Sequence, residues 1–415
     1  MDRDPTAGVS RRRFVGWGGL AAAGAVAVGV PLADAGPGRA APPARPSGPG
    51  RIPPAARPGG AYDRYVAGLA AAGRFSGVVL LSHRGRTVLS RSYGMADRER
   101  GIRNREDTAF TLSSAGKPFT AVALLQLARR GRLRLSDPVG RHLTGFASDV
   151  SEKVTIHHML TGTSGLNTPE EDIHRIFRSR REVHDYQERW ARQAKLVGTP
   201  GLPNGFHASA EAAIPALIVE AVSGQSYWDY VEENVFRRCG MTGSAFHTRP
   251  RWLTDPRIAH PYLTLADGSQ VDALRHLDQG SPYEYMLDRN PGRAFIDAIG
   301  DGGFATAPDL VRFAHALGDG TLLERPWADV LTAPRMPLGP ASFGTYGPSA
   351  EIVGGQWVIQ RAGGNPGVCA NWSSYPDTGW VGVILANGDD APLIEMIEQE
   401  TRAVTGAAPG GGSGG

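Results

Sequence analysis

Cysteine is nearly absent: Cys239 and Cys369 are the only two in 415 residues. A fold that depends on a disulfide framework is therefore excluded, and the pair leaves two readings, a single bridge outside the cell or two packed thiols. Long apolar runs are missing except for one near the N-terminus, which is short and rich in Ala and Gly for a permanent membrane span. No basic stripe with interleaved aromatics occurs. Lys and Arg total 44 against 41 Asp and Glu, and several arginines fall in the first 60 residues, so the body of the chain is close to neutral. A nucleic-acid partner has no support in that pattern. No His/Cys/Asp spacing suggests a metal or other cofactor, and His157-His158, at the start of an amphipathic helix, reads as structural. What remains is ordinary globular composition, 41% hydrophobic and 20% charged, enough for one large domain or two.

The ends of the chain differ from its body. Ser10-Arg11-Arg12-Arg13-Phe14-Val15 matches a twin-arginine export pattern, followed by an apolar stretch to about residue 30 and by Ala33-Asp34-Ala35, a small-x-small cleavage site. Residues 1–35 are expected to be an export signal, the other reading being an anchor that stays attached; the membrane enters only through this segment. Residues 36–60 are dominated by Pro, Gly, Ala and Arg and read as a linker that buries no core. Residues 405–415 form a Gly-rich tail, which leaves a domain at 61–404.

Within that domain, residues 62–72 have helical spacing, and the runs at 77–82 and 87–93 flank a turn at 83–86, a strand–turn–strand hairpin. The middle, roughly 130–300, has few clear strands and includes helical stretches at 211–222 and 227–237. After a further helix at 309–317, strands return at 351–353, 356–361, 368–374 and 379–387, and a helix at 391–404 closes the chain. Strands and a helix at both ends around a helical middle predict an α+β fold: one antiparallel sheet built from both ends, flanked by the terminal helices, with an inserted helical subdomain and a cleft between the two.

Ser114-Ala115-Gly116-Lys117 is a Ser-x-x-Lys tetrad that opens a helical run from Pro118 to Leu127. Residues three apart lie on one helix face. A serine hydroxyl is a poor nucleophile until a base takes its proton, and a lysine kept neutral by burial can do so. The helix N-terminus adds positive potential where an oxyanion would form.

The surroundings of the tetrad resemble the serine β-lactamase-like, penicillin-binding-protein-like family, on its class C and D-alanyl-D-alanine carboxypeptidase side. The segments that carry the likeness include Phe75-Ser76-Gly77-Val78-Val79, Tyr93-Gly94-Met95-Ala96-Asp97, Leu133-Arg134-Leu135-Ser136-Asp137-Pro138, Leu160-Thr161-Gly162-Thr163-Ser164-Gly165, Gly302-Gly303-Phe304-Ala305-Thr306-Ala307-Pro308-Asp309-Leu310 and Gly363-Gly364-Asn365-Pro366-Gly367. Their order and spacing together are specific. The resemblance implies Ser114 as nucleophile, Lys117 as its base, no cofactor, and an oxyanion hole from the backbone N–H groups of Ser114 and Gly364.

Two of the family's three motifs depart here. Counting back from Ser223-Gly224, the Tyr-x-Asn motif falls on His207-Ala208-Ser209; an alternative register puts Phe206 at the tyrosine position. A histidine titrates nearer neutrality than a tyrosine, so His207 can exchange a proton with serine and leaving group, or it is a packing substitute in a site that has lost its reaction. Ser209 can replace only some hydrogen bonds of the family asparagine. The Lys/His-x-Gly motif falls on Arg361-Ala362-Gly363, and the usual histidine before Thr163-Ser164-Gly165 is Gly162. Arg361 cannot be an acid or base, but it can hold a carboxylate or phosphate, or else face solvent or a nearby acid. The expectation is an exported serine hydrolase or acyl-transfer enzyme that takes an ester or amide of a small molecule or peptide, with an anionic group on the substrate as one option. Arg361, Ser209 and Gly363 would bind that substrate. Efficient β-lactam hydrolysis and ordinary carboxypeptidase action are disfavoured. The competing expectation is a protein of this fold that has lost acyl turnover and binds a ligand or performs non-hydrolytic chemistry.

Overall fold

A computed structural model describes residues 52–203 and 208–407. The expected export signal, all of the linker before residue 52, His207 and Phe206 lie outside the described residues.

Eight antiparallel strands form the central sheet: β1 (Gly77–His83), β2 (Arg86–Tyr93), β3 (Met336–Gly339), β4 (Ser342–Gly344), β5 (Ser349–Val353), β6 (Gln356–Asn365), β7 (Val368–Tyr375) and β8 (Trp380–Ala386). They run in the order β2-β1-β8-β7-β6-β5-β4-β3, so the first hairpin docks beside the last strand and both ends of the chain build one sheet. Alternate side chains of a strand leave opposite faces. Val79, Leu81, Leu89 and Ile384 therefore pack under the terminal helices α1 (Ala61–Ala71) and α8 (Leu393–Thr405). Val78, Leu80, Trp372, Val383 and Leu385 face the larger core of the helical insertion. The short strand β3, at the sheet's edge, and β4 beside it carry Pro337, Gly339 and Gly344, which hide any alternation in the sequence; Pro337 lies on the edge strand, where a missing N–H is tolerated.

The insertion is mainly helical. It includes α2 (Lys117–Arg129), α3 (Ile156–Leu160), α4 (Arg180–Ala191), α5 (Ala210–Ser223) and α6 (Tyr227–Val231), and α7 (Ala307–Ala316) returns the chain to the sheet. A small hairpin, Tyr262–Thr264 with Gln270–Asp272, adds two strands to this otherwise helical part. The helical run predicted over 227–237 is present but changes winding at Glu232–Phe236 and stops at Gly240, which takes the left-handed conformation.

Residues 52–60 correct the expected linker boundary. Pro54–Ala56 form a tight helical turn, and Ala56 is fully buried beside the terminal helices. Prolines fix this stretch in advance, so a small residue can dock at little entropic cost. Both cysteines are free thiols, Cys369 being buried within β7. No helix among the described residues is long and apolar enough to cross a membrane.

Candidate active site

The tetrad divides at its third residue. Ser113–Gly116 form a short 3-10 turn, and α2 begins at Lys117, with Pro118 at a position where its missing N–H is harmless. Two contacts fix the turn from behind. Phe110–Thr111 pair antiparallel with Phe304–Ala305, and Leu112 N–H donates to the Gly303 carbonyl at 2.9 Å. Ser113 has φ 47°, a left-handed conformation uncommon for a residue with a side chain. Its hydroxyl donates to the Gly364 carbonyl at 3.0 Å, and its carbonyl accepts from Gly302 N–H at 3.1 Å. Such strain persists only where surrounding bonds impose it, and it cants Ser114 toward the sheet.

The sheet side is β6. Its outer edge is paired with β5 only as far as Gln360, so residues 361–365 have an open edge against which the nucleophile turn lies. Gly363 permits the approach: a Cβ there would stand 2.4 Å from both Ala115 N and the Leu112 carbonyl oxygen. β6 and β7 are joined by the two-residue turn Pro366-Gly367, which makes Asn365 and Val368 the hydrogen-bonded pair and turns Gly364 away from β7. The N–H of Gly364 therefore points to the same edge as its carbonyl, beside Ser114. From above, Trp372 Nε1 donates to the Ala115 carbonyl at 3.1 Å.

Within this cradle Lys117 Nζ donates to Ser114 Oγ at 2.8 Å and lies 3.6 Å from Asp301 Oδ2. Burial pushes the Lys117 pKa down from its ordinary value. The Asp301 charge opposes that shift, the Arg361 charge reinforces it and the Glu211 charge opposes it. Arg361, half-buried on β6, donates from Nε to the Ser114 carbonyl at 3.1 Å. Burial also lowers the Arg361 pKa, and Asp301 counters this. Arg361 thus stands on the backbone of Ser114 with its charge facing the Asp301–Lys117 pair.

The structure brings Ser114, Lys117, Arg361, Gly363 and Gly364 together. Ser209 opens α5, and its N–H donates to Thr168 Oγ1 at 2.9 Å. The candidate histidine at 207 falls outside the described residues. Three groups escaped the sequence reading. Ser164 lies inside the recognised segment Thr163-Ser164-Gly165, whereas Asp301 falls one residue before the recognised segment that starts at Gly302. Glu211 is the first-turn acid of α5, and its Oε1 accepts from Ser164 N at 3.1 Å and Ser164 Oγ at 2.5 Å.

His157 Nδ1 meets the Tyr346 hydroxyl at 2.7 Å, and His158 Nδ1 accepts from Thr155 N–H in the N-cap of α3. A second buried cluster, Asp97, His260 and Asp272, has its ligand atoms close enough to surround an ion. Arg275 already fills that role, with Nη2 2.9 Å from Asp97 and Nη1 on Asp272. The cluster reads as an internal ion network.

Comparison with known proteins agrees with this geometry. The family described as Beta-lactamase matches residues 62–404. The chain is 43% identical over 267 residues to "Esterase EstB" of Burkholderia gladioli, covering 58% of this chain and 64% of that protein. It is 27% identical over 294 residues to "Putative penicillin-binding protein PbpX" of Bacillus subtilis, covering 68% of this chain and 63% of that protein. The chain thus spans somewhat under two thirds of the length of both relatives. Among solved structures, a penicillin binding protein from Bacillus halodurans superposes with a TM-score of 0.68 at 26% identity, covering 80% of this chain and 99% of that one.

Proposed function

The chain belongs to the Beta-lactamase family, which matches nearly all of the described body, and from that premise we propose that it is an exported serine hydrolase or acyl-transfer enzyme acting on an ester or amide through a Ser114 acyl-enzyme. The observation that carries this reading is the 2.8 Å contact between Lys117 Nζ and Ser114 Oγ, made by a lysine whose burial favours the neutral amine. The likeness to a protein named an esterase supports the choice of ester substrates.

In this mechanism Lys117 takes the Oγ proton as Oγ attacks the substrate carbonyl. The negative charge on the carbonyl oxygen is held by the N–H groups of Ser114 and Gly364, donors that no side-chain replacement removes. Collapse of the tetrahedral adduct expels the alcohol or amine, protonated by Lys117 with the assistance of His207. Water, or an acceptor alcohol or amine, then attacks the acyl-enzyme by the reverse path. Ser209 contributes polar contacts to the substrate.

The test is covalent trapping. Full-length protein treated with a fluorophosphonate or a fluorescent penicillin should gain one adduct by intact mass, and peptide mapping should place it on Ser114. No adduct under conditions in which a related hydrolase labels would sink the reading.

Arg361 is proposed to bind an anionic group on the substrate with the guanidinium nitrogens not engaged by Ser114. A charge-assisted hydrogen bond contributes about 1.5–3 kcal/mol, so Arg361→Ala should reduce kcat/KM for an anionic ester about 10- to 100-fold more than for a neutral ester of the same acyl group. Equal losses for both esters would leave Arg361 with only its backbone contact to Ser114.

A further inference from the structure

Lys117 Nζ lies between two oxygens: Ser114 Oγ at 2.8 Å and Asp301 Oδ2 at 3.6 Å. The carboxylate is fixed by its own neighbours. Its Oδ1 accepts from Gly302 N–H at 2.9 Å, and that same N–H also donates to the Ser113 carbonyl at 3.1 Å. The segment is docked on the tetrad at two further points. Leu112 N–H donates to the Gly303 carbonyl, and the Gly302 carbonyl comes so near Gly116 that a Cβ there has no room. Asp297 Oδ2 takes Gly303 N–H at 2.7 Å and holds the segment from behind. Asp301 is therefore aimed at the amine by the same bonds that cant Ser114 toward the sheet.

We propose that Asp301 is a positioning residue that acts on the reaction through Lys117: its carboxylate is the counter-charge of the ammonium formed when Nζ takes the Oγ proton. This rests on the reading of Lys117 as the base for Ser114. In that step the Oγ–H bond breaks as Oγ attacks, an Nζ–H bond forms, and the new ammonium stands in ion-pair range of Asp301. Each of the other charged or titratable groups facing the pair has its own partner. Arg361 of β6 donates to the Ser114 carbonyl, and Glu211 of α5 takes the Ser164 N–H and hydroxyl. Asp297 holds Gly303, and Tyr227 of α6 bonds to Thr120.

A buried lysine with no counter-charge rests as the amine but is a weak base, because the ammonium it must become is poorly solvated. A carboxylate at this distance stabilises the ammonium and leaves the amine alone, so it restores basicity where the reaction needs it. Burial pulls the Lys117 pKa down, and Asp301 is the charge that most opposes the fall. Asparagine is the informative replacement, since its carbonyl oxygen can still accept from Gly302 N–H while the charge is gone.

The experiment is the rate of fluorophosphonate labelling of full-length protein from pH 5 to 10, for wild type and Asp301→Asn. An opposite charge at this range shifts a titrating group by about 1–3 units, and the partial exposure of Asp301 puts the effect at the lower end. The acid limb of the variant should therefore lie about one unit lower, with a plateau about threefold lower because the weaker amine is the poorer base. The variant is then the faster protein at the foot of the limb and the slower on the plateau, a crossing that loss of folded protein cannot produce. Asp301→Ser, whose hydroxyl can also accept from Gly302 N–H, is the second arm if Asp301→Asn lowers the melting temperature, and it should cross in the same way. Repeating the comparison in a His207→Phe background keeps histidine titration out of the difference. Coincident limbs, or a slowing uniform across pH, would overturn the inference and leave Asp301 with only its place in the turn. Absence of any wild-type adduct would instead overturn the enzymatic reading, and this inference with it.

Discussion

Lys117→Ala is expected to slow acylation of Ser114 about 10³-fold, approaching the complete loss expected for Ser114→Ala, while the fold persists. The size follows from what the lysine does: a positioned base contributes about 10²–10⁴ to a proton-transfer step. Nothing else in contact with Oγ among the described residues can take its place, because the hydroxyl's bond is to Nζ and Arg361 reaches only the carbonyl of the same residue. The stability cost is small by comparison. Lys117 is a buried group whose desolvation already works against its charge, and its ion pair with Asp301 at 3.6 Å is partly exposed. Time-resolved labelling alongside thermal melting checks both halves. Labelling of the variant within tenfold of wild type would remove Lys117 from the base role.

The second large effect concerns stability. Glu400, in α8, is fully buried against the sheet, and its carboxyl occupies the space above Gly382 of β8, where a Cβ would come within 2.1 Å of it. Its Oε2 has no partner, and its Oε1 accepts from the Tyr375 hydroxyl at 3.4 Å. Burial raises the carboxyl from its ordinary 4.5 to about 8, so the folded protein keeps a proton that the unfolded chain releases. With more protons bound in the native state, stability must fall as pH rises from the unfolded value through the folded one. At about 1.36 kcal/mol per unit, the displacement opposes folding by about 4–5 kcal/mol at pH 8 and above. Wild-type melting temperature should therefore decline between pH 6 and pH 9 more steeply than that of Glu400→Gln, whose neutral amide feels no such term, and Glu400→Gln should be the more stable protein at pH 9. Parallel pH profiles for the two would show that Glu400 does not hold its proton in the fold.

Much of the architecture was legible from local pattern. The apolar runs of β1 and β8 and the spacing of α1, α5 and α8 declare themselves because burial on one or both faces leaves a periodic trace. The short strands β3 and β4 left no such trace, since half-exposed residues with Pro and Gly interspersed obey no period. Residues 52–60 looked like linker because composition reports flexibility and cannot report that Ala56 finds a slot beneath two helices. In the site, Ser114 and Lys117 were readable because one turn of chain joins them, and Gly363 and Arg361 because a glycine-rich strand end marked the register. Asp301 and Glu211 were not, because Asp301 reaches Lys117 and Glu211 reaches Ser164 only through tertiary packing of distant segments. A first-turn acid such as Glu211 is so common as a helix-dipole partner that its burial beside Ser164 has no sequence signature.

The two-faced sheet has a practical consequence for engineering. The residues proposed to carry the reaction meet β6 and β7 on the side of the helical insertion, whereas Glu400 and Gly382 lie beneath the terminal helices on the opposite side. Substitutions separated by a packed sheet and sharing no partner tend to combine additively. Relieving the buried acid by Glu400→Gln would then supply a stability reserve at alkaline pH against which destabilising changes around Arg361 or Glu211 could be tolerated, so that a library directed at substrate choice could begin from the hardened scaffold.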